Sequence, residues 1–237
     1  TPENALRVAA VRTEHHVQIF REFLWGWRAP IDVEGTGHLE RSIANGHGAI
    51  LWVAHFSFNS LAVKKGIRAA GIGVSHLSRP EHGFSKSRFG IAVFNPIRGR
   101  TETRYVDERV VIDAATPVAA INRARQLLRD NRVISITAGA WEGAVLASVR
   151  LGRCTQEFAT GAPRLSLLSG APVHPVFCAR DEASGRIKVR IGEALEFTRG
   201  ERREALSSCA QAYADKLLPM IERYPIQWRD WDKVQSA

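Results

Sequence analysis

Apolar and polar positions follow two different periods along this chain. From about Asn4 to Arg28, Val8, Val11, Ile19, Phe20, Phe23, Leu24 and Trp27 recur at near-helical spacing with Arg7, Arg12, Arg21 and Arg28 between them. That pattern predicts one amphipathic helix, stopped by Pro30. Two readings stand for it: a helix that packs its stripe on the body of the domain, or a basic, Trp-bearing surface that rests on a membrane interface. Beyond Pro30, short β-branched runs alternate with helical patterns. Strands are expected at Ile31 to Gly35, Ala49 to Ala54, Gly73 to Leu77, Val133 to Thr137, Pro172 to Cys178 and Ile187 to Ile191. Helices are expected at His38 to Asn45, Phe58 to Ala70, Pro117 to Asp130, Ala159 to Ser169 and Glu201 to Arg223. This alternation predicts an α/β fold with a central, mostly parallel sheet and helices on both faces. Internal repeats and linker-like tracts are absent, so residues 1–30 read as the N-terminal helix and 31–237 as a single domain.

In such a sheet, chemistry gathers where strands end and loops begin. Four places qualify: His55, the Arg98 to Arg104 segment, Trp141 to Gly143, and Ala159 to Arg164. His55 stands at the end of an apolar strand, directly before a helix. An imidazole there can take a proton from a hydroxyl or amine near neutral pH; a structural histidine fits the same place. Arg98, Arg100 and Arg104 fall in a turn-rich stretch where guanidinium forks can hold phosphate or carboxylate, or simply form a solvated basic loop. Thr160 and Gly161 precede a helix whose amino terminus can receive an anion, with Arg164 in its first turn; an ordinary helix cap explains them equally.

Composition narrows the partners. The 237 residues are 45% hydrophobic and 24% charged, as in a folded globular chain. The three cysteines show no disulfide or metal spacing, which suggests a reducing compartment. No run approaches the roughly 18 to 20 apolar residues that span a bilayer. The first residue is Thr1 rather than methionine, which leaves room for an upstream anchor. A net charge of +9 favours an anionic partner: an acidic membrane, a phosphate-bearing substrate or an acidic carrier protein. Nucleic acid is disfavoured, because the basic residues are spread along the chain without a reader motif or stacking platform.

Several segments in order carry a resemblance. The stretch from Gly46 to Phe56 resembles the catalytic strand of bacterial lipid A late acyltransferases and their lysophospholipid relatives. Val74 to Pro80, Ala159 to Leu165, Ser169 to Phe177 and Tyr224 to Trp228 resemble later segments of that family in the same order. The resemblance spans about Asn45 to Trp228. It implies transfer of a fatty acyl group from an acyl-carrier protein or acyl-CoA thioester to a hydroxyl of a lipid or glycolipid, without a metal or redox cofactor. It also implies a place in the cytoplasm, peripheral on the inner face of the membrane, a functional arginine among Arg98, Arg100 and Arg104, and His55 as base in a His-x4-Asp/Glu dyad.

The pattern breaks at the acid, where this chain has Ser60. Three explanations remain open. Glu142, in the loop after the Val133 to Thr137 strand, supplies a displaced carboxylate; or the site works without one, on an amine or an acidic hydroxyl, with a covalent route through Ser57 or Ser60 as a variant; or catalysis is lost and the fold binds an acyl chain or a carrier protein.

Overall fold

The computed structural model describes residues 2–26, 30–78, 92, 94–112, 117–139, 145–198 and 201–236. In chain order its elements are α1 (Pro2–Trp25), β1 (Ile31–Glu34), α2 (Thr36–Ala44), β2 (Ala49–Val53), α3 (Asn59–Ala69), β3 (Val74–Ser78), α4 (Asn95–Thr103), β4 (Glu108–Val111) and α5 (Pro117–Arg129). They continue with β5 (Val133–Thr137), β6 (Leu146–Leu151), β7 (Cys154–Ala159), α6 (Gly161–Ser169), β8 (Val173–Arg180), β9 (Ile187–Ile191), α7 (Arg202–Arg223) and β10 (Gln235–Ser236).

Seven strands form one sheet in the order β1-β9-β8-β2-β5-β3-β4. Every neighbouring pair is parallel except β8 with β9. β2 is the middle strand and all five of its residues are buried, which is why it reads as a continuous apolar run rather than an alternation. The pleat still sorts its side chains. Ile50 and Trp52 join a core with α5, α6 and α7, whereas Ala49, Leu51 and Val53 join a second core with α2 and α3 on the opposite face. Gly48 lets the chain enter this strand. Its φ is +62°, and a Cβ there would stand 2.4 Å from the Arg132 carbonyl oxygen, so only glycine fits both the turn and the close approach.

The expected β/α alternation is present, and two regions differ from it: α4 with the edge strand β4, where no element was expected, and the stretch between β5 and α6. Arg98 to Arg104, read above as turn-rich, is mostly the helix α4. Pro96 at its start presets the helical φ, while Gly99 and the lack of an apolar stripe hide it in the sequence. Its inward face is polar: Arg98, Thr101 and Glu102 are its buried residues. Between β5 and α6 the chain forms the β6–β7 hairpin, with β10 as a third antiparallel strand, and Ala159 ends β7 instead of starting the helix.

α1 is a helix as expected, but its buried stripe is Val11, His15, Gln18, Ile19 and Glu22, a helical spacing of mixed chemistry. Leu24, expected in the packed stripe, is exposed, as is Trp25 next to it; Trp27 lies outside the described residues. α1 packs on α4 and on the short 3₁₀ turn Pro225–Gln227. Glu22 ties it down by accepting from Lys65 Nζ at 2.6 Å and from the Tyr105 hydroxyl. Among the described residues no helix is long and apolar enough to cross a membrane.

Candidate active site

His55 follows β2 by two residues, at the carboxyl edge of the central strand. Its backbone is held from both sides. Ala54 N–H donates to Val176 O at 2.8 Å, and the carbonyl of His55 accepts from Arg229 N–H at 3.0 Å. Next to it, Phe56 and Trp228 form an antiparallel bridge, and Ser57 N–H donates to Gln227 O at 2.8 Å. Gln227 is fastened in turn: its side chain accepts from Arg180 N–H at 2.8 Å and donates to Arg180 O at 2.7 Å. The segment after α7 is thereby laid alongside the His55 loop like a short extra strand.

That placement brings Asp230 to the imidazole. His55 Nδ1 lies 2.8 Å from Asp230 Oδ1. The Asp230 side chain is 5% exposed and that of His55 27% exposed, so the carboxylate is sheltered and the ring meets the solvent side. A carboxylate oxygen accepts only, which assigns the proton to Nδ1 and leaves the lone pair on Nε2. Among the described residues no group engages Nε2. A buried acid on one ring nitrogen and an open lone pair on the other is the arrangement of an oriented general base.

The adjoining pocket is lined by Val53, Asn59, Ser60, Val63, Lys64, His76, Arg98, Ser135 and Thr137 together with His55. Its polar groups are mostly satisfied internally. Lys64 Nζ contacts Glu102 Oε2 at 2.5 Å, and Arg98 Nε donates to Glu102 Oε1 at 2.7 Å. All three side chains are buried, and burial holds the Lys64 ammonium below its ordinary range while Glu102 opposes the shift. His76 Nδ1 lies 2.9 Å from Ser135 Oγ. Behind Ser60, buried His15 has its Nε2 3.4 Å from the Ser60 hydroxyl.

The residues singled out from sequence distribute unevenly. His55, Ser60 and Arg98 share the pocket. Ser60 turns to His15, and the imidazole Nδ1 of His55 is occupied by Asp230 instead. Glu142 and the rest of Trp141 to Gly143 lie outside the described residues, beyond the end of β5, the parallel neighbour of β2. Arg100 is exposed. Arg104 donates to the Glu22 carbonyl at 3.1 Å and its guanidinium lies over Phe23, which makes it a strut for α1. Thr160 Oγ1 donates to Val145 O at 2.9 Å rather than capping α6; neither it nor Gly161 nor Arg164 is among the residues lining the pocket. Sequence reasoning missed Asp230, Lys64, Glu102 and Arg229. For Asp230 the only signal is an acid set among aromatics in Trp228-Arg229-Asp230-Trp231, just past the Tyr224 to Trp228 match, and nothing there indicates its partner 175 residues away.

The buried histidines set an acid limit. His15 and His174 are both pushed below 6.5, chiefly by burial; Arg98 and Arg229 add to it for His15, while the Gly192 carbonyl partly opposes it for His174. Above pH 6.5 neither state carries these protons, so the two groups leave stability unchanged. Below it the unfolded chain takes up protons that the folded chain still refuses, so stability falls. Unfolding free energy measured by denaturant between pH 7.5 and 5 is therefore expected to drop below about pH 6.5, with a limiting slope of about 1.4 kcal/mol per pH unit for each histidine. A flat profile would contradict the burial described.

No protein-family model matches the chain, and no curated protein matches it in sequence.

Proposed function

We propose that this protein is an acyltransferase in which His55, oriented by Asp230, activates a hydroxyl or amine acceptor for attack on an acyl thioester. The observation that carries the reading is the 2.8 Å contact between His55 Nδ1 and Asp230 Oδ1 at the carboxyl edge of the central strand. In the proposed step, Nε2 takes the proton of the acceptor as its oxygen or nitrogen forms a bond to the thioester carbonyl carbon. The tetrahedral intermediate then expels the thiolate, which leaves as thiol with the proton from the imidazolium. Asp230 holds the ring and stabilises its charge throughout without itself being protonated. No step calls on a metal or a redox cofactor.

The ordered resemblance to lipid A late acyltransferases and lysophospholipid acyltransferases supports the choice of reaction. The missing acid at Ser60 weighs less against it once a carboxylate reaches the same imidazole from Asp230. On this reading the donor is an acyl-carrier protein or acyl-CoA, and the acceptor a lipid or glycolipid. The protein works on the inner face of the cytoplasmic membrane, with the exposed Leu24 and Trp25 at the end of α1 as a peripheral contact. Residues 31–237 form the acyltransferase domain behind the N-terminal helix.

The test is a single-turnover assay with radiolabelled acyl-carrier protein and acyl-CoA against lysolipid, sugar-lipid and amine acceptors. Label is expected to move to at least one acceptor in the wild type and to none in His55→Ala. Transfer that survives His55→Ala would remove the base from this scheme. Binding of acyl carrier with no transfer to any acceptor would leave a non-catalytic acyl-binding protein of the same fold.

A further inference from the structure

α1 docks on the body of the domain largely through polar contacts. Val11 and Ile19 are the apolar members of its buried stripe and His15, Gln18 and Glu22 are the others, while Leu6, Val17, Leu24 and Trp25 are exposed. Glu14 accepts from Arg180 Nη1 and from Gln18 Nε2, the latter at 3.1 Å. Glu22 accepts from Lys65 Nζ and from the Tyr105 hydroxyl. A helix held in this way gains less from apolar burial than one packed by its hydrophobic face, and a half-exposed ion pair such as Glu14–Arg180 adds little by itself. Its docked state is therefore closely balanced against release.

The residues that α1 touches are those that hold the tail carrying Asp230, and Arg180 is their node. Its backbone N–H and carbonyl hold the Gln227 side chain at 2.8 and 2.7 Å, while its guanidinium reaches Glu14 of α1 and lies 5.3 Å from the centre of the Phe58 ring. His15 meets the same ring edge-on, with 6.2 Å between centroids. Phe58 follows Ser57, whose N–H and hydroxyl both donate to Gln227 O, at 2.8 and 3.1 Å. α1 also packs directly on the Pro225–Gln227 turn, and Gln227 is 1% exposed. Hydrogen bonds in such a place hold because water is kept out. With α1 lifted away, water competes for each of them.

We infer that α1 is an activating strap. Docked, it keeps the Arg180–Gln227 clamp dry and the tail against the His55 loop, so that Asp230 stands at the imidazole; released, it lets the tail loosen and the pair come apart. Glu14, Arg180 and Gln227 are then positioning residues, acting on the imidazole only through the tail. The inference rests on the acyltransferase reading only in taking His55 and Asp230 as the working pair, and its test needs no substrate.

The proton on His55 Nδ1, bonded to the buried Asp230 carboxylate, is the reporter: it is expected as a far-downfield proton NMR resonance of the intact protein, absent from His55→Ala. Glu14→Arg sets two guanidiniums face to face. Amide exchange along α1 is expected to quicken by about tenfold to a hundredfold and the His55 resonance to broaden or vanish, while amides of β2 and β5 keep their protection. Adding Arg180→Glu restores the ion pair with its charges exchanged, and both readings should return towards wild type. If Glu14→Arg opens the sheet as well, Glu14→Gln, which only removes the ion pair, carries the same two readings at smaller amplitude. Faster exchange of α1 beside an unchanged His55 resonance overturns the strap, as does wild-type protection of α1 in Glu14→Arg. A merely structural ion pair would lower the melting temperature without moving the resonance. Absence of the resonance from the wild type would remove the pair and the strap with it. Acyl transfer is assayed separately: loss of the resonance with transfer retained upholds the strap and removes Asp230 from the reaction, and loss of both upholds the two together.

Discussion

Asp230→Asn is expected to slow single-turnover acyl transfer by about 10²- to 10⁴-fold while the protein stays folded. The asparagine has the shape of the acid but neither its charge nor its obligatory acceptor character. Its amide can present N–H to the ring, force the proton to Nε2 and so remove the base, and it cannot stabilise the imidazolium that follows. His55→Ala should abolish transfer, and the double variant should be no slower than the slower single one, because the two side chains act as one unit. The comparison with Glu142→Gln decides between carboxylates. If Asp230 orients the ring, the Glu142 change costs far less; if Glu142→Gln is the damaging one and Asp230→Asn is tolerated, the assignment of the acid is wrong. Ser60→Ala, which loses at most one long contact to His15, is expected to cost no more than about fivefold, the value of a single neutral hydrogen bond.

The second large effect concerns stability and is asymmetric. Glu102→Gln strips the counter-charge from two buried cations at once, Lys64 and Arg98, and is expected to cost about 3 to 5 kcal/mol of unfolding free energy. Lys64→Met should cost much less, because Arg98 and Glu102 remain a balanced pair and the methionine fits a buried site. Lys64 offers the Glu102→Gln protein a partial escape. Its ammonium is already held down by burial, and without the carboxylate it would lose its proton rather than remain an unpaired charge. The folded variant would then bind fewer protons than the unfolded chain, so its stability should recover as pH rises. Denaturant titrations of both variants at pH 7 and pH 9 check the ordering and the recovery. Equal losses for the two substitutions would mean that the three groups are not coupled through the single Glu102 carboxylate.

How much of the site is legible in the chain depends on how far each residue acts from its own neighbours. His55 is legible because its cue is local: a fully apolar run, then a polar residue, then a helix. Arg98 is recognisable as one of three arginines in a basic segment, yet its setting is not, since α4 carries no apolar stripe and its buried face consists of Arg98, Thr101 and Glu102. Binary patterning cannot identify a helix whose inward face is polar and paired, because the pairing partner, Lys64, lies on α3. α1 shows the same limit. Its existence follows from periodicity, but the stripe that packs includes His15, Gln18 and Glu22, whose burial depends on partners such as Ser60 and Lys65 in α3.

The sequence by itself determined the class of fold and the order of six of the seven strands of the main sheet with the helices between them, because strand and helix periods, Gly48 and the Pro30 stop act within a few residues; α4, β4 and the β6–β7 hairpin with β10 were not legible in it. It also determined which strand delivers the histidine. Only the tertiary structure decided the chemistry around that histidine. β2 became the middle of seven strands through pairings with β5 and β8, and the tail after α7 was laid beside His55 by the Phe56–Trp228 bridge and the Gln227–Arg180 clamp. Asp230 stands against the imidazole as a result of those contacts, and no local rule relates two residues 175 positions apart. The physical reason is general to such sites: backbone period is a property of adjacent residues, whereas a buried carboxylate finds its partner only once the surfaces that exclude water around both have closed.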